Sequence, residues 1–310
     1  MLDAIEGIHH ITSMARDANV TDQFHTRVLG LRRVKKTVNF DAPDVYHLYY
    51  ANRVAQPGTV MTYFPFPNIA SGARGAGEVS TTVFSVPEGS LDFWERHLAD
   101  SAVGGIKRAQ AFGEDQLYFD GIDGDSFALA AVAGDGREPW TGAGIPADHA
   151  IRGFSSATLL LNDGQPTQEL LELMGFKEKG REGNVVRLQR ETGNGAATID
   201  IKADRAAPPA RQGAGSVHHI AFAVPDAAAQ RTVRQALSQE GFQVTPVIDR
   251  DYFLAIYFRS PGGVLFEVAT DDPGFARDED MDHLGEALKL PRQHEHLRPY
   301  LEARLPAIGS

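Results

Sequence analysis

The chain contains no cysteine. That excludes disulfides, thiolate nucleophiles and cysteine-based zinc sites, and leaves His, Glu, Asp, Tyr and Arg to carry any chemistry. Cationic charge is also scarce. Lys and Arg number 30 against 41 Asp and Glu, a formal net charge of −11, so no basic excess exists to neutralise nucleic-acid phosphates or to bind an anionic membrane surface. No apolar run approaches the roughly 20 residues that a spanning helix needs. The opening MLDAIEGIHHIT lacks the basic region and long apolar stretch of a secretory signal. The expectation is a cytoplasmic protein that binds neither nucleic acid nor membrane.

What is present is a repeat. With 310 residues, 42% hydrophobic and 23% charged, the chain can fill two ordinary domains or one duplicated architecture. Four segments share one grammar: a short strand, a helix, then two or three strands. The first runs from GIHHITSMA through DQFHTRVLGLRRV to VYHLYYAN and GTVMTYFPF; the second from EVSTTVFSVP through SLDFWERHLADS to QLYFDGIDGDSFALAAV. The third spans GFSSATLLLN, PTQELLELMGFKEKG, NVVRLQR and AATIDIK, and the fourth SVHHIAFAVPD, AAQRTVRQALSQEGF and YFLAIYFRSPGGVLFEVAT. Opening strands are rich in β-branched and apolar residues, and two of them end at Pro87 and Pro225. Helical spacing of Leu91, Trp94 and Leu98, or of Val233 and Leu237, marks core-facing helices, with Gly30, Gly175 and Gly241 as stops.

The fold class expected is α+β: four βαβββ modules forming two cupped eight-stranded half-barrels with helices outside. Modules at about 7–67 and 78–133 make an N-terminal pair within 1–145. Those at about 152–202 and 215–270 make a C-terminal pair within 151–271. Residues 272–310, with the acidic ARDEDMD and HEHLRPYLEARL, form a helical tail whose role the sequence does not set; His283, His294 and His296 read as surface residues there.

Aligning the opening strands brings His9-His10 and His218-His219 into register, where the other two modules read Thr81-Thr82 and Ser156-Ala157. Strand alternation then splits each pair. His218, Ile220, Phe222 and Val224 share one bulky face, whereas His219, Ala221 and Ala223 share a face with room on it. His219 should therefore point into the cup, and by repeat symmetry so should His10, with Thr12 beside it. Glu267 interrupts the otherwise apolar GGVLFEVAT, where a carboxylate in a central strand costs several kcal/mol unless paired or metal-bound. A single strand histidine is ordinarily a packed or surface residue. Two in-register pairs and a buried Glu instead match the two-His, one-carboxylate pattern of non-haem iron(II), with open positions left over. His9 and His218 would then orient the ligands or exchange protons.

With HHIT, HHIAF, DRDYFLAIYFRSPGGVLFE and DDPGFARDED in place, the chain resembles the vicinal-oxygen-chelate superfamily over almost its whole length. It is most similar there to ring-cleaving dioxygenases that act on hydroquinones. The resemblance implies iron(II) held by His10, His219 and Glu267, and supporting roles for His9, Thr12, His218, Arg250 and Tyr257. Read by chemistry alone, Arg250 could hold an anionic oxygen and Tyr257 could donate to the same centre. Phe40, Tyr63, Phe64 and Phe66 are candidate pocket walls, although core packing suits most of them. Common extradiol catechol enzymes draw all three ligands from the last two modules. Here the third module offers none, so modules one and four should pair around the metal and two and three should make a barren cup.

The function expected is Fe(II)-dependent cleavage of a dihydroxylated aromatic ring with O2, a hydroquinone being the leading substrate; Mn(II) in place of Fe(II), ortho- against para-diol, and homo-oligomerisation stay open. The alternatives are a glyoxalase-type lyase or thiol transferase, and a non-enzymatic small-molecule-binding (resistance) protein. A glyoxalase site would use a second carboxylate. Aligning QPGTVMTYF with SPGGVLFEV puts Tyr63 opposite Glu267 instead.

Overall fold

A computed structural model describes residues 2–309. Its first module comprises β1 (Gly7–Ala15), α1 (Ala18–Gln23), β2 (Arg32–Val38), β3 (Tyr46–Ala51) and β4 (Val60–Pro65). The second has β5 (Glu78–Pro87), α2 (Leu91–Asp100), β6 (Lys107–Ala111), β7 (Glu114–Asp120) and β8 (Ser126–Val132). The third has β9 (Gly153–Leu161), α3 (Gln165–Leu173), β10 (Lys177–Glu182), β11 (Val185–Gln189) and β12 (Thr198–Ala203). The fourth has β13 (Ser216–Val224), α4 (Ala227–Gln239), β14 (Ile248–Asp249), β15 (Phe253–Arg259) and β16 (Leu265–Pro273). Side-chain caps start two helices, Asp17 accepting from the Asn19 and Val20 amides and Asp226 from those of Ala228 and Ala229. Glycines at positive φ end α3 and α4, at Gly175 (87°) and Gly241 (89°).

These strands form two eight-stranded curled sheets, in the orders β14-β15-β16-β13-β1-β4-β3-β2 and β10-β11-β12-β9-β5-β8-β7-β6. Strand β1 runs antiparallel to β13 and parallel to β4; β5 stands in the same relation to β9 and β8. One core lies behind both sheets and under the helices. It holds Ile8, Ile11, Ile220, Phe222 and Phe266 from the first sheet with Phe84, Phe127, Phe154 and Leu159 from the second.

Strict alternation fails where it matters most. Ile8 pairs with Phe222 and His10 with Ala221, leaving His9 out of register; Thr12 pairs with His219 and Ser13 with Val217, leaving His218 out. Each histidine pair thus sits at a β-bulge, where two residues oppose one and the local side-chain direction is re-aimed. Both members turn toward the cup, and the flanking Ile8, Ile11 and Ile220 go to the core. The parity that would send His9 and His218 to the apolar face does not survive. Matching bulges occur at Ser80 in β5 and Ser155 in β9, so the residues equivalent to the histidine pairs are Ser80-Thr81 and Ser155-Ser156, one position earlier than the aligned sequences suggest.

The parallel pairings correct two further readings. Ala221 lies beside Glu267, and its symmetry mate Thr12 lies beside Thr62. Thr62, not Tyr63, therefore occupies the position equivalent to Glu267, because the two turns before these strands differ by one residue. Tyr63 packs into the core instead. In the second sheet Thr158 lies beside Asp200, so a carboxylate is kept there at the Glu267 position. It is closed by Arg187, whose Nε and Nη2 donate to the two Asp200 oxygens at 2.8 Å each while Nη1 reaches Glu114 at 2.8 Å. Arg187 stands across from Asp200 as Tyr257 stands across from Glu267.

The tail is mostly turns, with α5 (Arg298–Arg304) its one α-helix among the described residues. It straps module one. Buried Lys35 pairs with Asp278 (2.7 Å) and Glu279 (2.5 Å), and the Tyr46 hydroxyl donates to the Pro306 carbonyl. His294, expected at the surface, is half-buried and donates from Nε2 to the Phe40 carbonyl at 2.8 Å; His283 and His296 are exposed.

The turn after α1 buries His25 between Tyr50 and Tyr63, with Nδ1 on the Thr21 carbonyl and, among the described residues, no partner for Nε2. Burial, only partly opposed by the Thr21 bond, pulls this imidazole down to about 4. The unfolded chain binds its proton from about pH 6.5 downward and the folded chain does not until about 4, so stability is lost as pH falls through that window. Buried Asp125, pushed up to about 6 by desolvation, acts in the opposite sense, which makes a variant the proper reference. Urea titrations of the wild type and His25→Gln between pH 7 and 4 should converge by about 3 kcal/mol toward acid; parallel curves would show that His25 titrates normally.

Candidate metal centre

The centre is assembled from three strands of one sheet. His10 comes from β1, His219 from β13 and Glu267 from β16, all buried. One ligand atom from each lies within 4.8 Å of the others. His219 Nε2 is 2.9 Å and His10 Nε2 3.3 Å from Glu267 Oε2, and the two Nε2 atoms are 3.2 Å apart. Neither ring is aligned to donate to the carboxylate, and among the described residues both Glu267 oxygens are buried without a hydrogen bond. Burial alone would raise this carboxyl, but the adjacent His10 and His219 hold it well below the ordinary range. An anionic oxygen and two imidazole nitrogens pointed at one spot, all within 2.9–3.3 Å of one another, fit a divalent cation.

The neighbouring histidines set the direction of the ligands. His9 Nδ1 is 2.9 Å from His10 Nδ1, and His218 Nδ1 is 2.7 Å from His219 Nδ1. Burial, with the adjoining histidine, lowers His9 to about 3 and His218 to about 4, so both stay neutral. A neutral His9 or His218 accepts at Nδ1 from the ligand ring's Nδ1–H, which leaves each ligand Nε2 as a bare lone pair facing Glu267. The bulges are what make this side-by-side arrangement reachable for adjacent residues.

Above the three residues opens a cavity of about 800 Å³. Phe40, Phe64, Phe66 and Phe253 line it together with Tyr257 and Leu265. Tyr63 is absent from this wall. Arg250 reaches in from the turn before β15, its Nε 3.3 Å from the Tyr257 hydroxyl and its Nη1 3.2 Å from Asp41. Its guanidinium also lies 5.5 Å from the ring centres of Phe40 and Tyr257. Burial and the Glu267 charge push the Tyr257 phenol well above its ordinary value, so it stays a donor. Thr12 bonds Thr62 at 2.8 Å, Oγ1 to Oγ1.

His47 and Tyr49 are among the cavity residues that escaped the sequence reading. His47 Nε2 lies 2.8 Å from Thr62 Oγ1, and the Tyr49 hydroxyl lies 2.8 Å from His47 Nδ1. The signal was available in VYHLYYAN, where Tyr46, Leu48 and Tyr50 take the core face and leave His47 and Tyr49 on the other.

The profile of the Glyoxalase/Bleomycin resistance protein/Dioxygenase superfamily matches residues 7–268. A Bacillus subtilis protein provisionally named ring-cleaving dioxygenase MhqO is 42% identical over 302 residues, covering 96% of this chain and 95% of that one. Chlorohydroquinone/hydroquinone 1,2-dioxygenase of Sphingobium indicum is 36% identical over 309 residues, again covering 96% and 95%. Among solved structures, a B. subtilis protein provisionally described as a dioxygenase superposes with a TM-score of 0.95, at 40% identity and 98% coverage of both chains.

Replacing His9 or His218 by Ala should weaken metal binding about 10–100-fold while leaving the fold intact. Titration with a divalent metal and a competing chelator reads this directly, and unchanged affinity in both variants would show that the ligand rings are oriented by something else.

Proposed function

Starting from a chain that belongs to the Glyoxalase/Bleomycin resistance protein/Dioxygenase superfamily, we propose that it cleaves the ring of a hydroquinone with O2, using Fe(II) held by His10, His219 and Glu267. The observation that carries this reading is the buried two-His, one-carboxylate cluster at the floor of an aromatic-walled cavity. Three protein ligands leave positions for both substrate and O2. The bound ion would supply Lewis acidity and a path for electrons between ring and oxygen. The names borne by the relatives support the same chemistry.

The protein's own residues then divide the work. Phe64, Phe66 and Phe253 sandwich a flat ring and exclude water. Arg250 places a fixed positive charge near a deprotonated substrate oxygen, and Tyr257, held as a phenol, donates to the charge that develops there. His218, half-buried and lining the cavity, carries its proton on Nε2 and can donate it toward the substrate while its Nδ1 accepts from His219. Thr62, at the position equivalent to Glu267, supplies no second carboxylate, which weighs against a glyoxalase-type lyase. No helix among the described residues is long and apolar enough to cross a membrane, in keeping with a protein that acts in the cytoplasm.

Anaerobic loading with Fe(II), followed by oxygen uptake with hydroquinone and catechol in parallel, tests the reading. Uptake of one O2 per ring, faster with hydroquinone, is expected, and Glu267→Gln should lose at least about a thousandfold of that rate, about 4 kcal/mol of barrier. Uptake with neither diol would move the assignment to a lyase or a binding protein.

A further inference from the structure

Tyr49, His47, Thr62 and Thr12 form one unbroken line of hydrogen bonds that starts at the cavity wall and ends on β1, two residues from His10. The separations are 2.8 Å from the Tyr49 hydroxyl to His47 Nδ1, 2.8 Å from His47 Nε2 to Thr62 Oγ1, and 2.8 Å from Thr62 Oγ1 to Thr12 Oγ1. Tyr49, Thr62 and Thr12 are fully buried and His47 nearly so. Thr12 lies two residues along β1 from His10 and directly opposite His219. None of these four residues binds the proposed ion.

The line has a direction. Among the described residues, the only hydrogen-bond partner of the Tyr49 hydroxyl is His47 Nδ1, and a buried phenol that did not donate there would leave its proton unmet. Tyr49 therefore donates, His47 accepts at Nδ1, and its ring proton sits on Nε2. That proton is given to Thr62, and Thr62 gives its own to Thr12. Each link fixes the next, because His47 is neutral and has one proton to place. The Thr12 O–H is left over, on the residue that stands opposite His219 and two residues from His10.

We propose that His47 is a positioning residue for the reaction at this site: clamped by Tyr49, it orders the Thr62–Thr12 pair so that a single O–H, that of Thr12, is held ready to donate toward the place where His10, His219 and Glu267 converge. The role rests on the ring-cleaving reading of the same cavity. It is one of orientation and not of proton supply. Burial pushes the Tyr49 phenol well above its ordinary value and the His47 imidazole well below its own, so both stay neutral and keep the line ordered. His47 itself also borders the cavity beside Phe64, at 4.3 Å between ring centres, which ties the donor to the wall that seats the substrate.

The test separates geometry from turnover. In nitrogen-15-labelled, zinc-loaded protein, the His47 ring should carry its proton on Nε2 with Nδ1 bare; a proton on Nδ1 would overturn the proposal. In the iron-loaded enzyme, Tyr49→Phe and Thr62→Val should each lower kcat about tenfold, with KM and iron content within about twofold of wild type. The double variant should be no slower than the worse single one, since both break the same line, and Thr62→Ser should recover most of the rate. Independent, multiplying losses, or full kcat in Thr62→Val, would overturn the proposal. A protein that shows the Nε2 proton but consumes no oxygen with any diol would support the ordered line and sink the ring-cleaving reading instead.

Discussion

A fully buried carboxylate in a central strand must be neutralised, and the architecture follows from how that is done. Leaving Glu267 charged and unpaired in the sheet interior would cost several kcal/mol. In the first sheet two imidazoles face it, and the space between the three groups suits a cation. The second sheet faces the same requirement at the equivalent Asp200 and meets it with the bidentate Arg187. One half-barrel thus carries an ion pair where the other carries the ligand cluster, which is why a cavity opens above Glu267 and a salt bridge closes the matching place above Asp200.

The neutralisation depends on backbone geometry that a regular strand cannot provide. Adjacent residues of a flat strand point to opposite faces, so HH in an unbroken ladder could offer only one imidazole to the cup. The paired bulges at His9 and His218 bring both rings of each pair to the same side. That lets the first ring of each pair orient the second through a short Nδ1–Nδ1 contact. The bulges belong to the repeat and not to the chemistry, since serines occupy the same positions in the second sheet. The fold supplies the irregularity and the histidines make use of it.

Much of this was legible in the sequence, and the gaps have physical causes. Four modules and two half-barrels follow from the repeated strand–helix–strand grammar. His10, His219 and Glu267 stood out because polar residues in apolar strands require an explanation. The orientation of His9 and His218 was misread because alternation was assumed where the apolar flanks say otherwise: Ile8 and Ile11 bracket one pair, Val217 and Ile220 the other, three apart and not two. The same spacing in Phe154-Ser-Ser-Ala157 would have aligned the second sheet correctly. Tyr63 was misplaced because turns of unequal length shift a strand by one residue and so reverse its faces. The tail's grip on module one, through Lys35 and His294, depends on contacts more than 240 residues apart along the chain, which no local pattern encodes.

The claim on which the account rests is that one ion sits between His10, His219 and Glu267. Metal K-edge X-ray absorption on the anaerobically iron-loaded protein measures this directly. It should show one iron per chain with two imidazole nitrogens at about 2.0–2.2 Å and carboxylate and solvent oxygens filling the rest, and the imidazole scattering should halve in His219→Ala. Substoichiometric iron, or a full-strength two-imidazole signal in that variant, would contradict it.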